Sequence, residues 1–573
     1  MKRGLFILTL LMSLLAGTVH SQSDPSAEAE RFLLERGEVY FSFRMNDRDE
    51  MHRLTRIISI DRVEGKQVFA YANREGFVKF RATGHKFNVL TPPGLAVRAE
   101  DFVSSGPARE RTNWNFYPTY QEYLDFMAGF AADHPAICRI DTVGTTVQGR
   151  LILAARISNN VGIEEAEPQF LYTATIHGDE TTGYVLMLHL IDYLLTGYGT
   201  DPAITDMLNT TEICINPLAN PDGTYFSGNN SVLGSRRFNA NGVDLNRNFP
   251  DPRTGPHPDG LEWQAETVAW MDYADRNHFT MSANFHGGEE VFNYPWDTWS
   301  KLPADDDWWQ FVGREWADTV HQYAPSGYFT FMQNGVTNGY AWYMITGGRQ
   351  DYMNYFHHCR EVTVEISYDK ILSPSLLTPF WDYNYRSFLN YMKQANYGIN
   401  GIVTDTVTDL PVAAKVFIHG HDVDYSEVYS RETTGFYARH IDEGTWDLTF
   451  SAPGYYTKII KDVPVSRREA TQLDVQLRPL TYDAQDRSVG RLMLWPNPSD
   501  GHFSLRLPDE PVKAHSSLQV LDALGRIVHT RDLTEVPAGR TAEIMLPEFV
   551  PGIYYLRFNS GYRIYVDKMV IRK

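Results

Sequence analysis

Cysteine is scarce in this chain. Only Cys138, Cys214 and Cys359 occur among 573 residues. Three thiols cannot build a disulfide framework, and they are too few for a cysteine-rich zinc site. Their odd number leaves at least one without an intramolecular partner, and buried free thiols are the plain expectation. Positive charge is also short. The 52 Lys+Arg stand against 71 Asp+Glu, a formal net charge of −19. That argues against nucleic acid or an anionic membrane as a partner and favours a cationic ligand. Beyond the N-terminus no apolar run approaches the ~20 residues a spanning helix needs, so the mature chain is expected to have no membrane span. Core-forming residues are abundant. A hydrophobic content of 43% with 13% aromatics describes a folded protein, and the length calls for several domains.

The chain opens MKRGLFILTLLMSLLAGTVHSQ. Two basic residues, an apolar run over Leu5–Ala16 and the small-residue site Val19-His20-Ser21 predict a signal peptide over 1–21. An N-terminal anchor is the alternative. Residues 27–97 alternate strand-like and helix-like pieces: strands near 38–44, 67–73 and 86–90, helices over 49–58 and 74–84. This is a small α+β module, and a charged linker at 98–113 follows it. Residues 114–395 predict an α/β domain with a mixed central sheet flanked by helices. After residue 396 short alternating strands punctuated by Gly, Pro and Asp predict two β-sandwich domains, at 397–480 and 492–573.

Candidate chemistry sits where apolar strands end. In TATIHGDETTGY, a strand-like run stops at His177, and a helix-like segment starts after Glu180. An imidazole and a carboxylate three residues apart can converge on one ion, or can merely make a polar turn. Catalytic zinc usually takes three protein ligands. MSANFHGGEEVFNYPWD supplies a third candidate in His286, which follows an apolar strand and precedes two glycines that leave room beside it. In REVTVEIS, Val362, Val364 and Ile366 face one way and Thr363, Glu365 and Ser367 the other. A glutamate in such a strand is costly without a task and suits a general base; an edge strand is the alternative. NGVDLNRNFP carries Asn246 and Arg247, with Arg236 and Arg237 just before it. Arginine suits bidentate recognition of a carboxylate, and also suits a surface salt-bridge loop.

Taken in order, HGDE (177–180), NPDG (220–223), RFNANGVDLNRNFP (237–250), SANFHGG (282–288), WYMITGG (342–348) and TVEIS (363–367) resemble the zinc metallocarboxypeptidases of the M14 type across 114–395. The short arginine loop and NYPWD are similar to the branch of carboxypeptidases D, E, M and N. The resemblance implies one zinc ion held by His177, Glu180 and His286. It implies Glu365 as general base and Arg237 as the group that polarises the scissile carbonyl. It implies Asn246 and Arg247 as the grip on the terminal carboxylate and Tyr343 as the residue that closes over the substrate. Asp297, in the N-Y-P-x-D element, corresponds to an S1′ carboxylate favouring Lys or Arg. Gln350 stands where the digestive enzymes carry their specificity residue. DYMNY (351–355) is one residue longer than the family's usual element.

Residues 27–97 are similar in position and pattern to the propeptide of such zymogens, with inhibition as a hypothesis. Residues 397–480 resemble the transthyretin-like domain of the same branch, through GIVTDTVTDLPV and SAPGYY. Residues 492–573 resemble the sorting domain of type IX secretion, through WPNPSDGHF, VLDALGRIV, PGIYYLRF and the closing KMVIRK. That implies a Gram-negative source of the Bacteroidota type, passage through the periplasm, contact with the secretion machinery, and a secreted or cell-surface protein. Its partners would be peptides or proteins with a free C-terminus. A peptidoglycan-peptide carboxypeptidase and a catalytically silent surface binding or adhesion protein are the alternatives.

Overall fold

The computed structural model describes residues 25–97, 114–480, 492–507, 516–522, 525–533, 540–546, 548–559 and 564–573. The expected signal peptide (1–21) and linker (98–113) lie outside them. The first unit has four antiparallel strands, β1 (Val39–Arg44), β2 (Ser59–Glu64), β3 (Gln67–Ala72) and β4 (Phe87–Val89), in the order β2-β3-β1-β4. Two of its helices follow polar caps. Asp47 accepts from the Glu50 backbone N–H before Arg48–Leu54, and Asn73 does so from Gly76 before Arg74–Ala82. Phe41, Phe43, Phe77 and Phe80 fill the core between helices and sheet.

One expectation needs correcting here. The helix expected over 49–58 ends at Leu54, and 59–64 forms a strand. Gly65, at φ 61°, turns β2 back onto β3. The cross-strand partners Ile60↔Ala70 and Val63↔Val68 then outweigh helical continuation.

The central sheet has eight strands: β5 (Cys138–Thr145), β6 (Leu151–Ile157), β7 (Gln169–Ala174), β8 (Glu212–Asn216), β9 (Phe279–His286), β10 (Glu289–Tyr294), β11 (Val336–Asn338) and β12 (Arg360–Ser367). Their order is β11-β10-β12-β9-β7-β8-β6-β5. The inner four, β12, β9, β7 and β8, run parallel. Alternation along these strands feeds two cores. Phe170, Tyr172, Met281, Phe285, Val362 and Val364 pack against helices Tyr120–Asp133, Thr182–Gly197, Asp306–Tyr323 and Pro374–Gln394. Leu171 faces the other side, toward Trp270 and Tyr273 of helix Ala265–Arg276. β12 lies between β9 and β10, so Glu365 is on an inner strand and the edge-strand alternative fails. All three cysteines are buried and unpaired.

Two further sheets, built from strands between Gly398 and Leu477, enclose Ile399, Val416, Leu448 and Phe450. They are tied to the central unit by a buried ion cluster. Asp305 lies 2.9 Å from both Arg360 and Arg439 and 2.8 Å from His421. The last strands, from Met493 to Ile571, form two sheets around Phe503, Leu518, Leu556 and Met569. No described helix is long and apolar enough to cross a membrane.

Candidate metal centre and cleft

The site gathers at the C-terminal ends of the parallel strands, where α/β folds collect their ligand groups. β7 ends at Ala174, and the chain then bends sharply. Thr175 takes φ 64°, a left-handed conformation that is an outlier for a β-branched residue and costs roughly 1–3 kcal/mol. Its neighbours fix that strain in place. The Thr175 hydroxyl donates to the Glu180 carbonyl at 3.1 Å, and its carbonyl accepts from the Asn220 N–H at 3.0 Å. Gly178 is obligatory for packing, since a Cβ there would sit 2.4 Å from the Gly223 backbone. His177 and Glu180 therefore leave this turn on one side, just ahead of the helix at Thr182.

His286 closes β9 and meets them. His177 Nδ1 is 3.0 Å from Glu180 Oε1, His286 Nδ1 is 2.8 Å from Glu180 Oε2, and the two Nδ1 atoms are 3.1 Å apart. Both imidazoles cannot point a proton at the carboxylate without setting N–H against N–H. A cation removes that conflict. Tetrahedral zinc with bonds near 2.0–2.1 Å spaces its ligands by roughly 3.3–3.4 Å, close to what these three atoms already do. The donor set fits zinc, and it is the one such cluster among the described residues.

The surroundings tune the donors. Asp244 Oδ1 lies 3.0 Å from His177 Nε2, the carboxylate–histidine pairing that orients a ligand ring. Burial opposes ionisation of Asp244, but Arg237, His177 and Arg247 hold its carboxyl well below the usual range. Burial likewise works against Glu180, and His177, Lys370 and His286 overcome it. Lys370 Nζ sits 2.6 Å from Glu180 Oε1. Burial pushes His286 down to about 4, which keeps the ring neutral, the form that binds metal.

Of the other expected residues, Glu365, Arg237, Asn246, Arg247, Tyr343 and Asp297 line the same cleft, whereas Gln350 is not on its lining and meets it only through Asp297. Glu365 is the register partner of His286 on the adjacent strand. Its Oε2 is buried with no hydrogen-bond partner among the described residues. Burial and the Glu180 charge push its carboxyl well above the ordinary range. Arg237 donates through Nε to Asp244 at 3.1 Å and through Nη1 to Glu180 at 3.2 Å. Arg236 turns away and donates to the carbonyls of Arg36 and Asn239. Asn246 Oδ1 accepts from the Arg349 N–H at 2.9 Å. Arg247 is buried, yet its Nε and Nη2 have no acceptor among the described residues. Tyr343 is buried at the cleft wall with its hydroxyl 3.4 Å from the Ile60 carbonyl.

Asp297 lies at the far end of the cleft. Its Oδ1 accepts from Asn293 and Gln350, each at 3.2 Å, and any side chain at Gly339 would collide with that oxygen. Burial raises its carboxyl to about 6, with the Asn293 hydrogen bond and Arg247 pulling the other way. Gln350 also accepts from the Thr363 N–H at 2.6 Å, which ties the helix Arg349–Phe356 to β12. Residues 351–355 lie within that helix.

Four contributors were not anticipated from the sequence. Asp244 lies inside the quoted VDLNRN run, and its pairing with His177 spans 67 residues. Lys370 follows Glu365 by five positions, with no local pattern to mark it. The other two come from the N-terminal unit. Tyr71 donates to Asp179 at 2.6 Å, and Asp61, on β2, lies 2.7 Å from Lys370 Nζ and 3.8 Å from Arg237 Nη1.

The zinc carboxypeptidase family model matches residues 123–387, and a secretion system C-terminal sorting domain matches 493–572. The chain is 32% identical over 396 residues to carboxypeptidase M of Mus musculus, covering 65% of this chain and 86% of that protein. It is 35% identical over 393 residues to carboxypeptidase D of Mus musculus, covering 63% of this chain and 27% of that one. It thus spans about a quarter of the length of the carboxypeptidase D relatives. The crystal structure of carboxypeptidase A from Helicoverpa armigera aligns at 18% identity with a TM-score of 0.49, over 63% of this chain and 97% of that one. This chain belongs to the zinc carboxypeptidase family. It is a family member that carries a type IX sorting domain, which implies export and a secreted or cell-surface location.

Proposed function

We propose that this protein is an exported zinc-dependent carboxypeptidase that removes C-terminal residues, Lys or Arg by preference, from peptides and proteins. One observation carries the reading. In a single cleft the His177–Glu180–His286 donors adjoin a Glu365 oxygen and the Nε and Nη2 of buried Arg247, none of which has a hydrogen-bond partner among the described residues. Bound zinc would supply Lewis-acid activation of water and of the scissile carbonyl.

The chain's own residues do the rest. Arg247 and Asn246 take the terminal carboxylate, and this restricts the site to chain ends. Glu365, whose Oε2 has no partner among the described residues, accepts the proton of the attacking water and returns it to the leaving amine. Arg237 offers positive charge to the oxygen on which charge develops. Tyr343 covers the bound end. Asp297 faces the released side chain, and an otherwise enclosed carboxylate pairs best with a cation.

The N-terminal unit regulates this site in the same reading. Ile60 and Asp61 line the cleft, and Asp61 engages Lys370 and Arg237, so a substrate must displace them. The sorting domain addresses the chain, after passage through the periplasm, to the type IX machinery. The test is a C-terminal residue profile with purified protein, with and without a chelator, before and after removal of residues 25–97. Equal release of Leu, Phe and Arg would reject the basic preference. Equal activity before and after removal would reject the inhibitory role. Turnover confined to muropeptides would move the substrate to peptidoglycan.

A further inference from the structure

β10 runs along the cleft and can be read as a ruler against β12. Asn293 is paired with Thr363, Val291 with Glu365, and Glu289 with Ser367. Side chains two apart share a face and stand roughly 7 Å apart. Asn293, whose amide donates to Asp297, therefore marks one side of Glu365. Glu289 marks the other side. If Asp297 takes the released side chain and Glu365 stands at the scissile bond, Glu289 lies on the side of the chain that is kept.

Glu289 is unusual for a buried acid. Only 7% of it is exposed, and it lines the same cleft as the metal donors. Its carboxylate has no hydrogen bond and no ion pair among the described residues. Its neighbour Glu290, on the opposite face of the strand, is by contrast satisfied by the N–H groups of Phe329 and Tyr368. Unlike the Glu365 oxygen, its oxygens are not fully enclosed, so a ligand entering the cleft can reach them. Burial pushes Glu289 up to about 7, and the cation that pulls it back is Arg62 of the N-terminal unit. Arg62 is itself engaged with Glu64 at 3.1 Å and with the Tyr368 hydroxyl. The covering unit thus brings one cation toward this end of the cleft, together with the carboxylates of Asp61 and Glu64, which act the other way.

We propose that Glu289 forms a subsite for a cationic side chain on the residue that precedes the one released, so that chains ending in two basic residues are the preferred substrates. This rests on the carboxypeptidase reading above and adds a second specificity residue to it.

The test uses the full chain with two peptides in one mixture, acetyl-Gly-Ala-Lys-Arg and acetyl-Gly-Ala-Ala-Arg. Both release Arg, and both compete for the same uncovered molecules. The ratio of their rates is therefore independent of how much enzyme the N-terminal unit covers. The wild type is expected to favour the Lys peptide about tenfold, and Glu289→Gln to bring the ratio within about twofold of one. Glu289→Lys is expected to favour acetyl-Gly-Ala-Glu-Arg over the Lys peptide. A wild-type ratio near one, or a ratio that Glu289→Gln leaves unchanged, overturns the subsite alone. Release of Arg from no peptide overturns the carboxypeptidase reading and the subsite with it.

Discussion

Asp61→Ala should unlatch the cleft. Asp61 places one carboxylate 2.7 Å from Lys370 and 3.8 Å from Arg237, and accepts from the Tyr40 hydroxyl at 3.0 Å. Breaking a buried ion pair by removing one partner costs about 3–5 kcal/mol when the other charge is stranded. Here neither cation is stranded. Lys370 keeps Glu180 at 2.6 Å, and Arg237 keeps Glu180 and Asp244. The loss therefore falls below that range, about 2 kcal/mol, which is roughly a 30-fold shift of the covered-to-open ratio. A covering unit competes with substrate, so the change belongs in the apparent KM. The assay is Arg release from a short peptide by the full chain. The variant should raise kcat/KM about 30-fold with kcat nearly constant. A rise below threefold would refute the latch, as would a gain that appears in kcat alone.

Other consequences follow from the same geometry. Glu365→Gln should lose about 10²–10⁴-fold in kcat, yet retain zinc by mass spectrometry; lost zinc would instead make Glu365 a structural partner of the metal donors. The Asp297 carboxyl, raised to about 6 by burial, is charged above that pH and neutral below it. The preference for C-terminal Arg over Leu should accordingly weaken as pH falls from 7.5 to 5, and Asp297→Ala should abolish it at both. Asp305→Ala should destabilise by about 3 kcal/mol in urea unfolding, because Arg360 would be left buried without its carboxylate, whereas Arg439 keeps Asp422 at 2.5 Å. Burial opposes ionisation of Asp305, and Arg439 and Arg360 hold its pKa below the ordinary value. Its contribution is therefore present above the unfolded carboxylate range and fades as pH drops through and below it.

The candidate zinc donors His177 and His286 were legible because each follows or ends an apolar strand beside a glycine, and Glu180 because it stands three residues after His177. Glu365, the proposed base, was legible because it breaks an otherwise β-branched strand. The alternating faces of β12 were legible for the same reason, since period two is a local property. Asp244, Lys370 and Asp61 were not. Each acquires its partner only when distant segments pack, and Asp61 meets Lys370 across three hundred residues. β2, which carries Asp61, was hidden by the amphipathic run before it, although Glu64-Gly65-Lys66 offered a hairpin signal. That Glu289 has no hydrogen bond or ion pair among the described residues is a three-dimensional fact, which no local pattern in the sequence marks.

The central claim is a zinc-dependent attack at the chain end. The most direct measurement follows the products of a peptide ending in Arg by mass spectrometry, with the full chain, with chelator, and after zinc is restored. Loss of the single C-terminal residue, its arrest by the chelator, and its return with zinc are the expected results. Cleavage inside the peptide, or release that continues undiminished under chelation, would contradict that claim.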